Sequence, residues 1–110
     1  MLVLGVADRG GAGEEHSLFN YYLGGKRRLP LLKEEFWQDA AGCITRYSLA
    51  YIDPMMFPGD NGRVLGYDNA HGRHHRHFMG KESRYEFIGF DDVLARFEAE
   101  VARIRRGDGA

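Results

Sequence analysis

The sequence predicts an α+β fold: an antiparallel β-sheet of about four strands, a C-terminal helix packed across one face, and room for a short N-terminal helix. Three observations carry this. Residues 43–52 are rich in β-branched and aromatic side chains and alternate, with Tyr47, Leu49 and Tyr51 on one face and Arg46, Ser48 and Ala50 on the other. Asp53-Pro54 and the run Pro58-Gly59-Asp60-Asn61-Gly62 then break the chain before a second alternating stretch over residues 63–68. Finally, Leu94, Phe97, Val101 and Ile104 recur at helical spacing between acidic Asp91-Asp92 and basic Arg103, Arg105 and Arg106. That charge order suits a helix dipole, and Gly107 ends the segment.

Each element follows in order. Residues 1–13 end in Arg9-Gly10-Gly11-Ala12-Gly13, which predicts a flexible, loosely attached start. Residues 14–23 carry Leu18, Phe19, Tyr22 and Leu23 ahead of Gly24-Gly25, a pattern that fits a short helix with a glycine stop, although residues 19–23 also fit a strand. Residues 32–38, centred on Phe36 and Trp37, read as a strand after Pro30. Residues 43–52 and 63–68 form a long-looped hairpin that places Leu65 and Tyr67 on the side of Tyr47 and Leu49. Residues 69–72 make a turn, 73–79 a further strand, and 84–88 a short last one. The helix stripe covers the sheet, since a small sheet needs one face buried.

Length and composition set limits. A chain of 110 residues is one domain, 1–110, with the sheet and helix filling residues 44–106. The 44% hydrophobic and 13% aromatic shares argue against disorder. One cysteine, Cys43, excludes an internal disulfide and a zinc site of several thiolates. No apolar run reaches membrane-spanning length, and residues 1–6 lack a basic leader, so no membrane association and a cytoplasmic location are expected. Net charge is -1, yet cations cluster over residues 63–84 while acids gather elsewhere. A locally basic face of this kind suits RNA or DNA and equally suits plain solvation.

The chemistry concentrates in Asp68-Asn69-Ala70-His71-Gly72-Arg73-His74-His75-Arg76-His77. Four of the five histidines lie here. Imidazole titrates near neutrality and guanidinium stays charged, so proton transfer, anion contact or metal binding are all open. On a strand, Arg73, His75 and His77 would share one face and His74, Arg76 and Phe78 the other. His75 and His77 could then flank one phosphate as general base and general acid, an arginine stabilising the phosphoryl charge and Asp68 with Asn69 orienting an imidazole. RNA supplies its own 2′-OH nucleophile, so this chemistry calls for no cofactor and no metal. Arg73, Tyr67 and Lys81 are the candidates for substrate contact, Tyr67 by stacking a base. The rival chemistry is a metal site: His-x-His on a strand can chelate zinc or nickel with Asp68, although Arg73 and Arg76 would repel a cation. The plain alternative is a solvated polar strand.

Arg46-Tyr47-Ser48-Leu49-Ala50-Tyr51, Val64-Leu65-Gly66-Tyr67-Asp68-Asn69, His75-Arg76-His77, Tyr85-Glu86-Phe87 and the acid-started helix together resemble the TumE family of toxin-antitoxin toxins. The resemblance covers about residues 44–104, and the Asp-Asn pair with the His-(Arg/Lys)-His triplet is its specific part. Asp68, Asn69, His75, Arg76 and His77 fall on the family motif, whereas His71 and His74 lie in a variable loop and inherit nothing. The resemblance implies a toxin, with a helix-turn-helix antitoxin as cognate partner and RNA as the expected substrate. A homodimer stays open. So do two other readings: a non-enzymatic module binding nucleic acid or protein, and a metal-dependent nuclease.

Overall fold

A computed structural model describes residues 2–10 in backbone and residues 14–107 in full. Seven strands form one sheet in simple chain order, each antiparallel to the next: β1 (Leu2–Gly10), β2 (Glu14–Tyr22), β3 (Leu31–Gln38), β4 (Ile44–Ile52), β5 (Arg63–Asp68), β6 (His75–Phe78) and β7 (Lys81–Arg84). One helix, α1 (Phe90–Arg105), follows. The sheet is therefore wider than the expected four strands, and the extra width lies mainly at its N-terminal side.

Two expectations about that side are corrected. Residues 2–10, expected to hang loosely, form β1 and pair in continuous register with β2 from Leu2↔Tyr22 to Gly10↔Glu14. Residues 11–13 of the expected flexible start lie outside the described residues. Of residues 14–23, read as a short helix, Glu14–Tyr22 are the strand β2 instead and Leu23 begins the turn. A helix of that length is marginal alone, whereas the strand has a full ladder on both sides, with β1 and with β3. Gly24-Gly25, taken as a helix stop, is the corner of the β2–β3 hairpin. There the Leu23 amide donates to the Pro30 carbonyl (2.8 Å) and the Arg28 amide to that of Gly25 (2.8 Å). A side chain at Gly24 would meet the Leu29 carbonyl oxygen at 2.3 Å, so the corner closes only around glycine.

The centre agrees with the alternation. Register Leu49↔Tyr67 and Tyr51↔Leu65 puts Tyr47, Leu49, Tyr51, Leu65 and Tyr67 on one face, and all five are buried. Helix α1 lies on that face, burying Val93, Phe97, Val101 and Ile104, with Leu94 packed at the margin. Its acidic first turn and basic last turn match the dipole. The expected strand at 84–88 is displaced. Met79 and Gly80 both take positive φ (46° and 81°), the signature of a tight primed hairpin turn. The chain therefore turns back at once into β7. Residues 85–89 leave the sheet and fold over its helix side, where the Tyr85 ring meets Tyr67 edge-on at 5.0 Å.

Among the described residues, the other face carries no helix. At one end the loop after β4 folds in, and the Phe57 ring packs against the core cluster beside Gly80. Across the rest of β3 to β7, the outward positions include Trp37, Arg46, Ser48, Asp68, His75, His77, Glu82 and Arg84.

One buried acid is unusual. Glu34, on the helix side of β3, is 5% exposed. Burial, then its hydrogen bond and proximity to Glu98, push its pKa up to about 8. The folded protein thus holds a proton that the unfolded chain releases near pH 4.5. Stability is full below that value and falls as pH rises towards 8, by at most about 1.4 kcal/mol per pH unit. Denaturant melts of Glu34→Gln should be flatter over this window than those of the wild type. In the core, Phe97→Ala should cost about 3–5 kcal/mol in the same melts, because Phe97 is fully buried under the sheet.

Candidate functional site

Strand β6 divides the histidine-arginine run between the two faces. Register Gly66↔His77 and Asp68↔His75 sends both histidines to the open face, while Tyr67↔Arg76 and Leu65↔Phe78 send Arg76 and Phe78 under the helix. On the open face His77 Nε2 is hydrogen-bonded to Asp68 Oδ2 at 2.9 Å. The His75 and His77 rings are 6.1 Å apart. Across the β6–β7 turn, Glu82 stands opposite His77 and Arg84 opposite His75. The Glu82 carboxylate lies 3.5 Å from His75 Nδ1 and 3.9 Å from His77 Nδ1. His75 Nδ1 is buried without a hydrogen-bond partner, so the first of these is a close approach and not a hydrogen bond. Both imidazoles are largely shielded, with side-chain exposures of 14% and 15%.

Asp68 holds this arrangement at its base. Oδ1 accepts from the Ala70 amide at 3.0 Å, bracing the 69–72 turn, while Oδ2 engages His77. A carboxylate on Nε2 fixes the tautomer with the proton on that nitrogen and leaves Nδ1 basic. Gly66, directly across from His77, adds no side chain there, and the Arg63 side chain and the Leu49 carbonyl fill the space a Cβ would need.

The other sequence-derived candidates separate from the pair. Arg76 Nη2 donates to Glu100 of α1 at 2.5 Å, on the face opposite His75 and His77. This bond raises the guanidinium pKa and outweighs burial, which lowers it. Tyr67 is 1% exposed and its hydroxyl donates to the same Glu100. Burial leads in pushing that phenol up to about 12. It lies in the core, on the helix side of the sheet. Asn69 is also structural: its Oδ1 accepts from the Tyr47 amide (3.0 Å) and its Nδ2 donates to the Thr45 carbonyl (3.1 Å), extending the β4–β5 ladder by a side chain. Lys81 is opposite Phe78 and so on the wrong face, while Arg73 is exposed just before β6. His74 serves the helix side, bonded through Nδ1 to the Tyr47 hydroxyl (2.7 Å) and stacked on Phe87 at 4.0 Å. Burial, then His75, lowers its pKa.

Glu82 and Arg84 were missed from sequence. The signal was the Met79-Gly80 turn: a two-residue hairpin there would have paired both with the histidines. Among the described residues no three of His, Cys, Asp and Glu converge as a metal-ligand set. No described helix is long and apolar enough to cross a membrane.

The site thus consists of two imidazoles held by two carboxylates on an uncovered sheet face, with one arginine beside them. No curated protein and no solved structure matches the chain. The model of the family described as Toxin TumE does match, over residues 27–105, a span that takes in β3 to α1 and every residue of the imidazole-carboxylate group. The chain belongs to that toxin family.

Proposed function

We propose that the protein is a toxin acting as a metal-independent ribonuclease, and the single observation that carries this is the His75–His77 pair on one open face, each beside a carboxylate. A ring separation of 6.1 Å suits two imidazoles on opposite sides of one phosphate. His77, with Nε2–H given to Asp68, takes the 2′-OH proton on Nδ1 as Glu82, an exposed side chain, moves aside. The 2′-oxygen attacks phosphorus and closes a 2′,3′-cyclic phosphate. The bond to O5′ breaks, and His75 returns a proton to that oxygen from Nε2. Glu82, 3.5 Å from His75 Nδ1, flanks that ring on the side away from the leaving oxygen. Arg84, opposite His75, replaces Arg76 as the cation that meets developing phosphoryl charge.

The cognate antitoxin is then a protein that covers residues 73–81 and the open face beside them. Strand β7 supports this: all four of its residues are exposed and it borders the sheet, leaving backbone groups free for an added strand.

His75→Ala or His77→Ala should lower cleavage of single-stranded RNA by about 10²–10⁴-fold with the thermal midpoint nearly unchanged. EDTA should leave the rate intact and the products should end in 2′,3′-cyclic phosphate. Cleavage abolished by EDTA and restored by a divalent metal would transfer the histidines to a metal site. For the partner, co-expression with the product of the adjacent gene should yield a complex and rescue growth, and Ser83→Pro on β7 should weaken that complex. Retention of full affinity by this variant would place the partner elsewhere.

A further inference from the structure

On the open face, beside the imidazole pair, three planar groups from three successive strands are layered. His16 of β2 stacks on Trp37 of β3 with ring centroids 4.4 Å apart and planes 8° from parallel. Arg46 of β4 places its guanidinium 4.0 Å from the Trp37 ring on the next strand. His16 is tied at its far end, bonded through Nε2 to Glu35 at 2.7 Å. Arg46 is exposed, and among the described residues no carboxylate pairs with it. Next to it opens a groove of about 490 Å³ lined by Trp37, Arg46, Ser48, Asp68 and His71. Asp68 is therefore shared: it forms a wall of this groove and holds His77. The floor is low because Ser48, directly opposite Asp68, is small.

This layering explains itself poorly as stabilisation alone. An exposed guanidinium on a half-buried indole gains only about 0.5–1 kcal/mol. It does, however, present a flat, cationic platform at the lip of a groove. A planar base can extend such a stack, and its phosphate can then lie near the arginine.

We infer that this groove is a base-binding subsite for single-stranded RNA, in which one nucleobase stacks on the Arg46–Trp37 layer and the adjoining phosphate is carried past Asp68 to His75 and His77. The inference rests on the ribonuclease reading for the second half of that statement only. Recognition is of an unpaired base, since a duplex hides the faces that the platform needs. Arg46 and Trp37 act as binding residues and His71, at the groove mouth, as a flanking contact.

The chain has a single tryptophan, so the subsite carries its own probe. Titrating the wild-type protein with a short 2′-O-methyl oligoribonucleotide, which binds but cannot be cleaved, should quench Trp37 emission saturably. Arg46→Ala should weaken binding on the order of tenfold or more, as loss of one stacked base does. Arg46→Lys should weaken it nearly as much, because it keeps the charge and loses the plane. A duplex of the same sequence should not quench. Thermal melts check that the Arg46 variants fold. Silent Trp37 emission, no oligonucleotide binding, or Arg46→Ala binding equal to wild type would each overturn the subsite. Quenching by the oligonucleotide without cleavage of ordinary RNA would sink the ribonuclease reading and leave the subsite standing. Cleavage with silent Trp37 emission would do the reverse.

Discussion

The contact between Arg76 and Glu100 settles which way strand β6 faces. Side chains alternate along a strand, so one residue clamped under the helix obliges its neighbours to the opposite side. Arg76 is clamped at 2.5 Å by Glu100, and Tyr67 donates to the same carboxylate. His75 and His77 consequently stand on the open face, where Asp68 and Glu82 can reach them. A register slip of one residue would bury both imidazoles and expose the arginine. Ion pairs of this partly buried sort add little net stability, since desolvation opposes the attraction, and their better-supported use is to specify one arrangement.

The two faces of the sheet divide the work. The helix side is packed by tyrosines and aliphatic residues, and its buried polar groups bond to one another: the Tyr47 hydroxyl with His74 and Tyr85, Tyr67 with Glu100. Unpaired, each would be costly. Burial raises the Tyr85 phenol strongly, so these tyrosines remain neutral donors and acceptors. The open side keeps small residues at Ser48 and Gly66 and flat or charged ones around them. One helix is enough to cover β4 and β5, and among the described residues no helix lies over the other face, where only the Phe57 loop folds in at one end.

Where the sequence misleads, it does so for a local reason. Leu18, Phe19, Tyr22 and Leu23 match a helical stripe as well as a strand, and only pairing with β1 and β3 decides between them. Met79-Gly80 lacks the Asn-Gly or Asp-Gly pair that marks a primed turn. The strand after it is therefore read too late, and Glu82 and Arg84 go unnoticed. Asn69 sits in the motif, and its side-chain amide bonds Tyr47 and Thr45 as a backbone rung would, contacts that no local spacing reveals.

From sequence alone come the antiparallel sheet, the helix across it, the tyrosine face and the histidine run on a strand, because each is written in a period of two or of 3.6 residues. The resemblance to the TumE family is legible there too, and the family match bears it out. Tertiary structure alone decides which neighbours those residues meet. Trp37 and Arg46 are nine positions apart and His16 is twenty-one before Trp37, yet strand pairing stacks all three. Glu100 reaches Arg76 from the helix. Such contacts depend on register between strands and on where the helix lands, and neither is encoded in the local spacing of side chains.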